Sequence, residues 1–254
     1  MGRNSSGGTQ DADAAVNGPG DLSHRRKTQI LLHDSFNIGA LGLVVSLVGY
    51  FLYTGTDTEV LNTLLSHYWN KRNSDLHLIS ALLITPGMMD LYYIIFYIVS
   101  IYLVVDCLWV LINPRCVPSS PGPIVIHHIA TAVLLGATYF GAPEQYAFST
   151  AIYLTVEANT IILVTKRNVP MGSLLWKVLD IFFYATWVIQ RLIQFPLLVW
   201  WSSFEYLRFS YSIGTHANMI LSTPIFSFVL TILSYKWTVD LLSKKKTPKA
   251  TKTA

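Results

Sequence analysis

The chain has 254 residues and a net charge of +4; 52% of its residues are hydrophobic and only 13% are charged. Soluble domains carry about 25% charged residues, so this composition excludes an ordinary soluble domain and indicates a polytopic membrane protein. Basic residues gather in the two terminal segments, where positive charge is typical of cytosolic flanks, and they do not indicate nucleic-acid binding. The two cysteines lack the spacing of a zinc site.

Six apolar segments are each close to the roughly 20 residues that cross a bilayer as a helix. We therefore predict an all-α bundle of about six transmembrane helices over residues 31–240, between a disordered cytosolic tail (residues 1–30) and a basic cytosolic tail (residues 241–254). Residues 76–89 are apolar but short and contain a Pro-Gly pair, so a lid, a re-entrant piece and half a span all stay open. The predicted spans are residues 36–54, 91–112, 124–140, 145–165, 174–201 and 212–237.

An even number of spans places both termini on the same side of the membrane. When that side is the cytosol, most lysines and arginines fall in cytosolic segments, as the positive-inside rule requires. We therefore expect both termini in the cytosol.

Two adjacent histidines, His127 and His128, lie inside the third predicted span. An ionisable group in hydrocarbon is costly, so such a residue indicates a functional site by default. Neighbouring residues of a helix point about 100° apart, so the two side chains cannot turn to the same face. At least one imidazole must therefore face a protein interior, a water-filled cavity or a partner carboxylate.

Three acidic residues of other spans, Asp106, Glu157 and Asp180, are expected at a similar depth toward the cytosolic end. We predict that one of these carboxylates orients an imidazole, which fixes its tautomer and raises its basicity. The other ring nitrogen then acts as a general base toward a hydroxyl or amine, or as a nucleophile. The predicted catalytic residues are His127 and His128.

A second polar set is expected nearer the opposite membrane face, with Arg191 on the fifth span and His216 and Asn218 on the sixth. A buried arginine needs an acceptor. Arg191 is therefore either a structural clamp, bound to Glu157 or to backbone carbonyls, or an anchor for the phosphate or carboxylate of a lipid. The sequence leaves both roles open.

The chain lacks the metal ligands or sequence motifs of several classes of enzyme. Only one pair among the seven histidines is closely spaced, which is too few ligands for a membrane di-iron centre. The chain contains neither the H-E-x-x-H segment of zinc proteases nor the G-x-S-x-G elbow of serine hydrolases. We therefore predict no bound metal and no bound cofactor. A proton-coupled transporter stays open, because the spans carry buried charges.

The order of these polar residues resembles that of the TLC-domain family, multi-pass membrane proteins that include the ceramide synthases. The resemblance covers roughly residues 35–240. After the histidine pair it extends to Leu134 and then to Thr138, where the family has serine. The His-Asp and Ser-Asp that follow in ceramide synthases are missing from the corresponding region, residues 154–158. The chain therefore looks more like the shorter TLC domain-containing proteins.

The resemblance implies a role in lipid metabolism or homeostasis, with membrane lipids as partners. It also implies acyl transfer from acyl-CoA, a co-substrate, with His127 and His128 as the catalytic residues. The membrane it implies is the endoplasmic reticulum, with the plasma membrane as the alternative. A non-catalytic lipid sensor or trafficking receptor on the same fold stays open beside the acyltransferase. The acceptor lipid and the oligomeric state do not follow from the sequence.

Overall fold

The computed structural model describes residues 19–55, 88–117 and 121–246. Most of the stretch 76–89 therefore lies outside the described residues. Within the three described ranges the chain is almost entirely helical and contains no strand. In these ranges the helices form six continuous segments that are long and apolar enough to cross a membrane. This confirms the predicted all-α, multi-pass membrane bundle.

The described ranges form eight α-helices, one π-helical segment and short turns of 3-10 helix. Several of the α-helices have proline as their first or second residue, where it is favoured. The elements are α1 (Pro19–Gly55), α2 (Met88–Ile112), a 3-10 turn (Pro114–Cys116), α3 (Gly122–Gly141), α4 (Pro143–Leu154), α5 (Glu157–Arg167), α6 (Leu174–Thr186), the π-helical segment (Trp187–Gln194), α7 (Phe195–Ile213), a 3-10 turn (Met219–Leu221) and α8 (Ser222–Lys246).

The first and last helices are longer than the predicted spans. α1 begins at Pro19, inside the segment that we expected to be disordered, and α8 continues to Lys246, inside the expected basic tail. The apolar part of α1 that can cross the membrane runs from Arg26 to Thr54. The prediction began this span at residue 36, because polar side chains precede that point. Those polar side chains belong to the helix, and two of them, His33 and Asp34, are buried in the protein interior.

The fifth span is also longer than predicted, and this changes the depth of its polar residues. It runs from Leu174 to Ile213, through α6, the π-helical segment and α7, whereas we expected it to end at Trp201. It ends at Gly214, whose φ of 71° is the left-handed conformation that commonly closes a helix. The sixth span therefore begins at Met219 rather than at residue 212. The helix continues past Trp201 because the polar residues that follow, such as Ser202 and Ser203, do not interrupt its backbone hydrogen bonds.

The fourth span is interrupted at Thr155 and Val156, between α4 and α5. This break faces the π-helical segment. The side-chain amides of Gln190 and Gln194 donate to the carbonyl oxygens of Thr155 and Ile152 at 2.9 and 2.7 Å. Within a membrane, a carbonyl released from its helix needs a partner inside the protein. Glutamine side chains of the π-helical segment therefore supply hydrogen-bond donors to the backbone carbonyls at the break.

The helix packing places an apolar core at one end of the bundle and polar residues at the other. α3 packs against α2 and α8, and α1 packs against α2 and α5. The C-terminal half of α1 and the N-terminal half of α2 bury apolar side chains such as Phe51 and Tyr92. The opposite halves of the same two helices bury His33, Asn37 and Asp106 instead. These polar residues surround the start of α3, where the histidine pair lies.

Gly141 at the end of α3 offers a test of this packing. A Cβ at Gly141 would lie 2.5 Å from Cδ1 of the fully buried Ile220. We expect Gly141→Ala to lower the free energy of unfolding by about 1–3 kcal/mol through overpacking. Ile220→Val removes the clashing methyl group, so the double variant should lose less stability than the two single losses together. Thermal unfolding in detergent measures these differences.

Gly136→Ala is the matched control, because a Cβ at that position meets no atom within 4 Å. It should leave stability unchanged or raise it by up to about 1 kcal/mol, since alanine favours helix. Strict additivity of Gly141→Ala and Ile220→Val would contradict this contact between α3 and the loop before α8.

Candidate functional site

Asp106 of α2 lies at the centre of the buried polar cluster. Its Oδ2 accepts a hydrogen bond from Nε2 of His128 at 2.6 Å, and its Oδ1 accepts one from Nε2 of His33 at 2.8 Å. All three side chains are buried. One carboxylate therefore joins α2 to α3 and to α1, and both of its oxygens face an imidazole.

Two further polar side chains continue this cluster behind His33. The hydroxyl of Tyr102 donates to Oδ1 of Asn37 at 2.8 Å, and the amide nitrogen of Asn37 lies 3.3 Å from Nδ1 of His33. The Tyr102 ring also packs edge-on against the ring of His128, with 6.2 Å between centroids. Hydrogen bonds and ring packing thus enclose the Asp106–His128 pair.

His127, the second member of the pair, faces a different carboxylate. Its Nε2 lies 4.0 Å from Oε1 of Glu157 at the start of α5. Its ring packs edge-on against Trp237 of α8, with 5.6 Å between centroids. Adjacent histidines on one helix therefore meet two separate carboxylates, one on α2 and one on α5.

Arg191 belongs to the surroundings of His127 and not to a separate outer layer. Its guanidinium lies between the rings of Trp187 and Trp237, 4.9 and 5.3 Å from their centroids. Its Nε donates to Oδ1 of Asn159 at 3.3 Å, and its charge interacts with the Glu157 carboxylate. The prediction that Arg191 lies near the opposite membrane face is wrong, because the fifth span is about twelve residues longer than expected and residue 191 falls near its middle.

Asp180, the third carboxylate predicted near the pair, lies elsewhere. It is half-buried on α6 and forms an ion pair with Lys166 at the end of α5. The Lys166 ammonium also lies over the ring of Trp176. This ion pair joins α5 to α6, and the Asp180 carboxylate is occupied there. Depth alone predicted its convergence on the histidines, whereas the rotation of α6 turns it to the neighbouring helix.

His216 and Asn218, predicted on the sixth span beside Arg191, lie in the loop before it. Asn218 starts the 3-10 turn: its Oδ1 accepts from the backbone N–H of Ile220, and its Nδ2 donates to Oγ of Ser210. His216 is exposed and packs against Tyr211. The late start of the sixth span, at Met219, explains the misplacement. The structure thus separates both residues from Arg191 and gives Asn218 a role in closing the loop.

The prediction from sequence missed His33 and its neighbour Asp34. Asp34 is buried and accepts from Arg167 and Asn168, which follow one another at the end of α5. Both residues lie in the predicted bundle, residues 31–240, but they precede its first predicted span and no role was predicted for them. A signal was present: His33 and Asn37 on α1, like Tyr102 and Asp106 on α2, are spaced one helical turn apart and so share a face.

The chemistry that the site offers is that of an imidazole oriented by a carboxylate. Nδ1 of His127 and Nδ1 of His128 are buried and have no hydrogen-bond partner among the described residues. Nε2 of His128 donates to Asp106, so Nδ1 of the neutral ring is an acceptor that is free to take a proton. Within the described residues, no group of three His, Cys, Asp or Glu side chains has the arrangement of a metal site.

A thiol is a poor alternative to the histidines. Cys116 lies in the 3-10 turn after α2, outside the membrane-spanning segments, and is almost fully buried. Burial raises the pKa of the Cys116 thiol. A thiol with a raised pKa forms little of the nucleophilic thiolate.

The fold and the site define a class: a six-span helical membrane protein with histidines and carboxylates paired inside the bundle. The family model of the TLC domain matches residues 40–243, which is most of the chain. The protein therefore belongs to the TLC-domain family and is an integral, multi-pass, lipid-related membrane protein. Comparisons with curated proteins and with solved structures give no match.

Substitution of Asp106 tests the central position of its carboxylate. In Asp106→Asn an NH2 group replaces one of the two acceptor oxygens and faces an imidazole N–H. We expect the free energy of unfolding to fall by about 1–3 kcal/mol, because a buried donor is left unpaired. The same change at Asp240, in an exposed ion pair with Lys236, should cost less than about 0.5 kcal/mol. Equal effects of the two variants on thermal unfolding would contradict the assigned network.

Proposed function

We propose that the protein is a lipid acyltransferase that moves an acyl group from acyl-CoA to a hydroxyl or amine of a membrane lipid. The observation that supports this proposal is the buried Asp106–His128 pair, in which the second ring nitrogen, Nδ1 of His128, has no hydrogen-bond partner in the part of the chain that the structure describes. A carboxylate on one nitrogen and a free second nitrogen are what a general base needs. His128 is therefore the proposed base.

The proposed reaction balances without a metal or redox partner. Nδ1 of His128 takes the proton of the acceptor hydroxyl or amine as its oxygen or nitrogen attacks the thioester carbonyl. The carbon–sulfur bond then breaks, and the departing thiolate of CoA takes the proton from His128. Asp106 stabilises the imidazolium that exists between these steps, because it holds the opposite nitrogen. The products are the acylated lipid and free CoA.

His127 and its neighbours are proposed to serve the same reaction from the other side. The developing oxyanion of an acyl transfer needs a nearby donor or positive charge. Arg191 is buried, and its Nη1 has no hydrogen-bond partner within residues 19–55, 88–117 and 121–246. Glu157 balances the charge of Arg191 and lies 4.0 Å from His127. Arg191 can therefore stabilise the negative charge of the oxyanion, and Glu157 compensates its positive charge inside the membrane.

The proposed membrane arrangement suits a cytosolic acyl donor. Both termini are proposed to be cytosolic, because basic residues flank the first and last spans. The histidine pair follows Gly122, the first residue of α3, by only five and six positions, about 8–9 Å of helix. A thioester group entering from the cytosol would reach that depth while its acyl chain lies among the helices. The endoplasmic reticulum is the proposed membrane.

A non-catalytic lipid-binding protein, acting as a sensor or trafficking receptor, is the second candidate. An open cleft of about 480 Å³ between α3 and α8 supports it. The cleft is lined mainly by apolar side chains such as Val133, Phe140 and Phe226, at the end of α3 remote from the histidine pair. An acyl chain fits such a surface, and binding there requires no chemistry at the histidines.

His128→Gln separates these two functions. The Nε2 of glutamine is as many bonds from Cα as the Nε2 of histidine, so it can keep the hydrogen bond to Asp106, but the base nitrogen is lost. We expect the variant to accumulate normally and to lose about 10²- to 10⁴-fold of the activity, the usual contribution of a general base. The measurement is the lipidome of cells that express the wild type or a variant at matched protein levels.

Asp240→Asn, in an exposed ion pair with Lys236 that contacts neither histidine of the pair, is the control and should give the wild-type lipidome. One lipid class that rises with the wild type and with this control, but not with His128→Gln, would identify the acceptor. A lipidome that is the same for wild type and for His128→Gln would reject the transfer reaction and favour lipid binding.

A further inference from the structure

We infer that His33 is a positioning residue that fixes the Asp106 carboxylate in the orientation required by His128. This inference rests on the proposed function of His128 as a base. His33 lies on α1, outside the histidine pair and outside the predicted spans. Its contact with Asp106 makes the pair a three-residue arrangement, His33–Asp106–His128, in which both imidazoles use Nε2.

The geometry of a carboxylate explains why a second partner matters. The χ2 torsion of an aspartate has a broad range of favourable angles, so the Asp106 carboxylate can rotate and turn its oxygens away from His128. The hydrogen bond from Nε2 of His33 to Oδ1 opposes that rotation and leaves Oδ2 facing His128 at 2.6 Å. A fixed Oδ2 keeps the proton on Nε2 of His128, and so keeps its Nδ1 available as a base.

His33 is itself held by its neighbours. The amide nitrogen of Asn37 lies 3.3 Å from its Nδ1 and 3.2 Å from its Nε2. In the neutral tautomer whose Nε2–H is given to Asp106, the amide donates to Nδ1. The hydroxyl of Tyr102 fixes the amide by donating to its oxygen. The ring of Trp109 stacks on the ring of His33, with 6.4 Å between centroids and 28° between planes.

The other charged groups beside His33 are already occupied. Asp34 lies 3.9 Å from Nδ1 of His33, beyond hydrogen-bond reach, and its oxygens accept from Arg167 and Asn168. His33 thus has one short contact with a carboxylate, and that carboxylate is Asp106. Each group in the series from Tyr102 to His128 has a defined donor or acceptor role.

Two amide substitutions at His33 test the inference. In His33→Gln the side-chain nitrogen is as far along the chain as Nε2 and can still donate to Asp106. In His33→Asn the same amide stops one bond earlier, at the level of Nδ1, and cannot reach. If only the polarity or burial of residue 33 matters, the two variants will give the same result. If residue 33 positions Asp106, the two variants will give different results.

The first readout is the pair of ¹⁵N signals of His128 in full-length protein in lipid bilayers, assigned by single substitution of the seven histidines. These signals report which ring nitrogen carries the proton. We expect wild type and His33→Gln to show His128 protonated at Nε2 alone, and His33→Asn to show a mixture of tautomers. Identical His128 signals in all three proteins would overturn the inference, as would loss of the wild-type signal in His33→Gln.

Asn37→Ala provides a second test if His33→Asn fails to fold. It removes the donor to Nδ1 of His33 and leaves Asp106 and His128 intact. We expect the ¹⁵N signals of His33 and His128 to move together. Movement of the His33 signal alone would show that His33 does not control the pair, and would overturn the inference.

The second readout is acyl transfer. His33→Asn should lower kcat by about 10- to 100-fold, as is usual when an orienting partner is lost, and should leave the KM for acyl-CoA unchanged. His33→Gln should have a kcat close to that of the wild type. The ¹⁵N signals do not depend on turnover, so they decide the role of His33 even if the wild type transfers no acyl group. A wild type that transfers no acyl group would reject the proposed function, and the ¹⁵N signals would still decide the role of His33.

Discussion

Burial of the Asp106 carboxylate inside a membrane bundle is the constraint on which the arrangement of α1, α2 and α3 depends. An isolated charge in hydrocarbon is prohibitively costly, so each of its oxygens must meet a donor from the protein. His128 and His33 supply those donors from two different helices. The three helices are therefore fixed relative to one another at the end where the polar residues lie, and the apolar core fixes them at the other end.

A second buried charge places a similar constraint on the other half of the bundle. Arg191 lies on the π-helical segment, between two tryptophan rings and close to Glu157. A π-helical turn is rare and occurs mostly at functional sites. Here it faces the break between α4 and α5, and Gln190 and Gln194 fill the hydrogen bonds that the break leaves open. The irregular backbone thus places Glu157 and Arg191 beside His127 without exposing unsatisfied backbone to lipid.

The two halves meet at the start of α3. His127 and His128 are adjacent in sequence and point in different directions, so each reaches one of the two charged centres. A single histidine could serve only one. The pair is therefore the point at which α2 on one side, and α5 and α8 on the other, contact α3.

Much of this arrangement could be predicted from the sequence, and the limits have physical causes. The six spans followed from hydropathy, which depends on local composition. Depth named Asp106 as one of three candidate carboxylates for the histidine pair, and in the structure Asp106 contacts His128. The positions of Asp180 and Arg191 did not follow, because they depend on helix rotation and on where the fifth span ends. His33 was missed because polar residues at the start of α1 lower the local hydropathy, although His33 and Asp34 among them are buried.

The central claim is that His128 acts as a base in acyl transfer. Its most direct test is the release of CoA thiol by purified protein in liposomes supplied with acyl-CoA and with lipid extracted from the native membrane. The account predicts release that depends on both lipid and protein, and that falls to the level of protein-free liposomes in His128→Gln. Wild-type protein that releases no more CoA than protein-free liposomes, or a His128→Gln variant as active as the wild type, would contradict it.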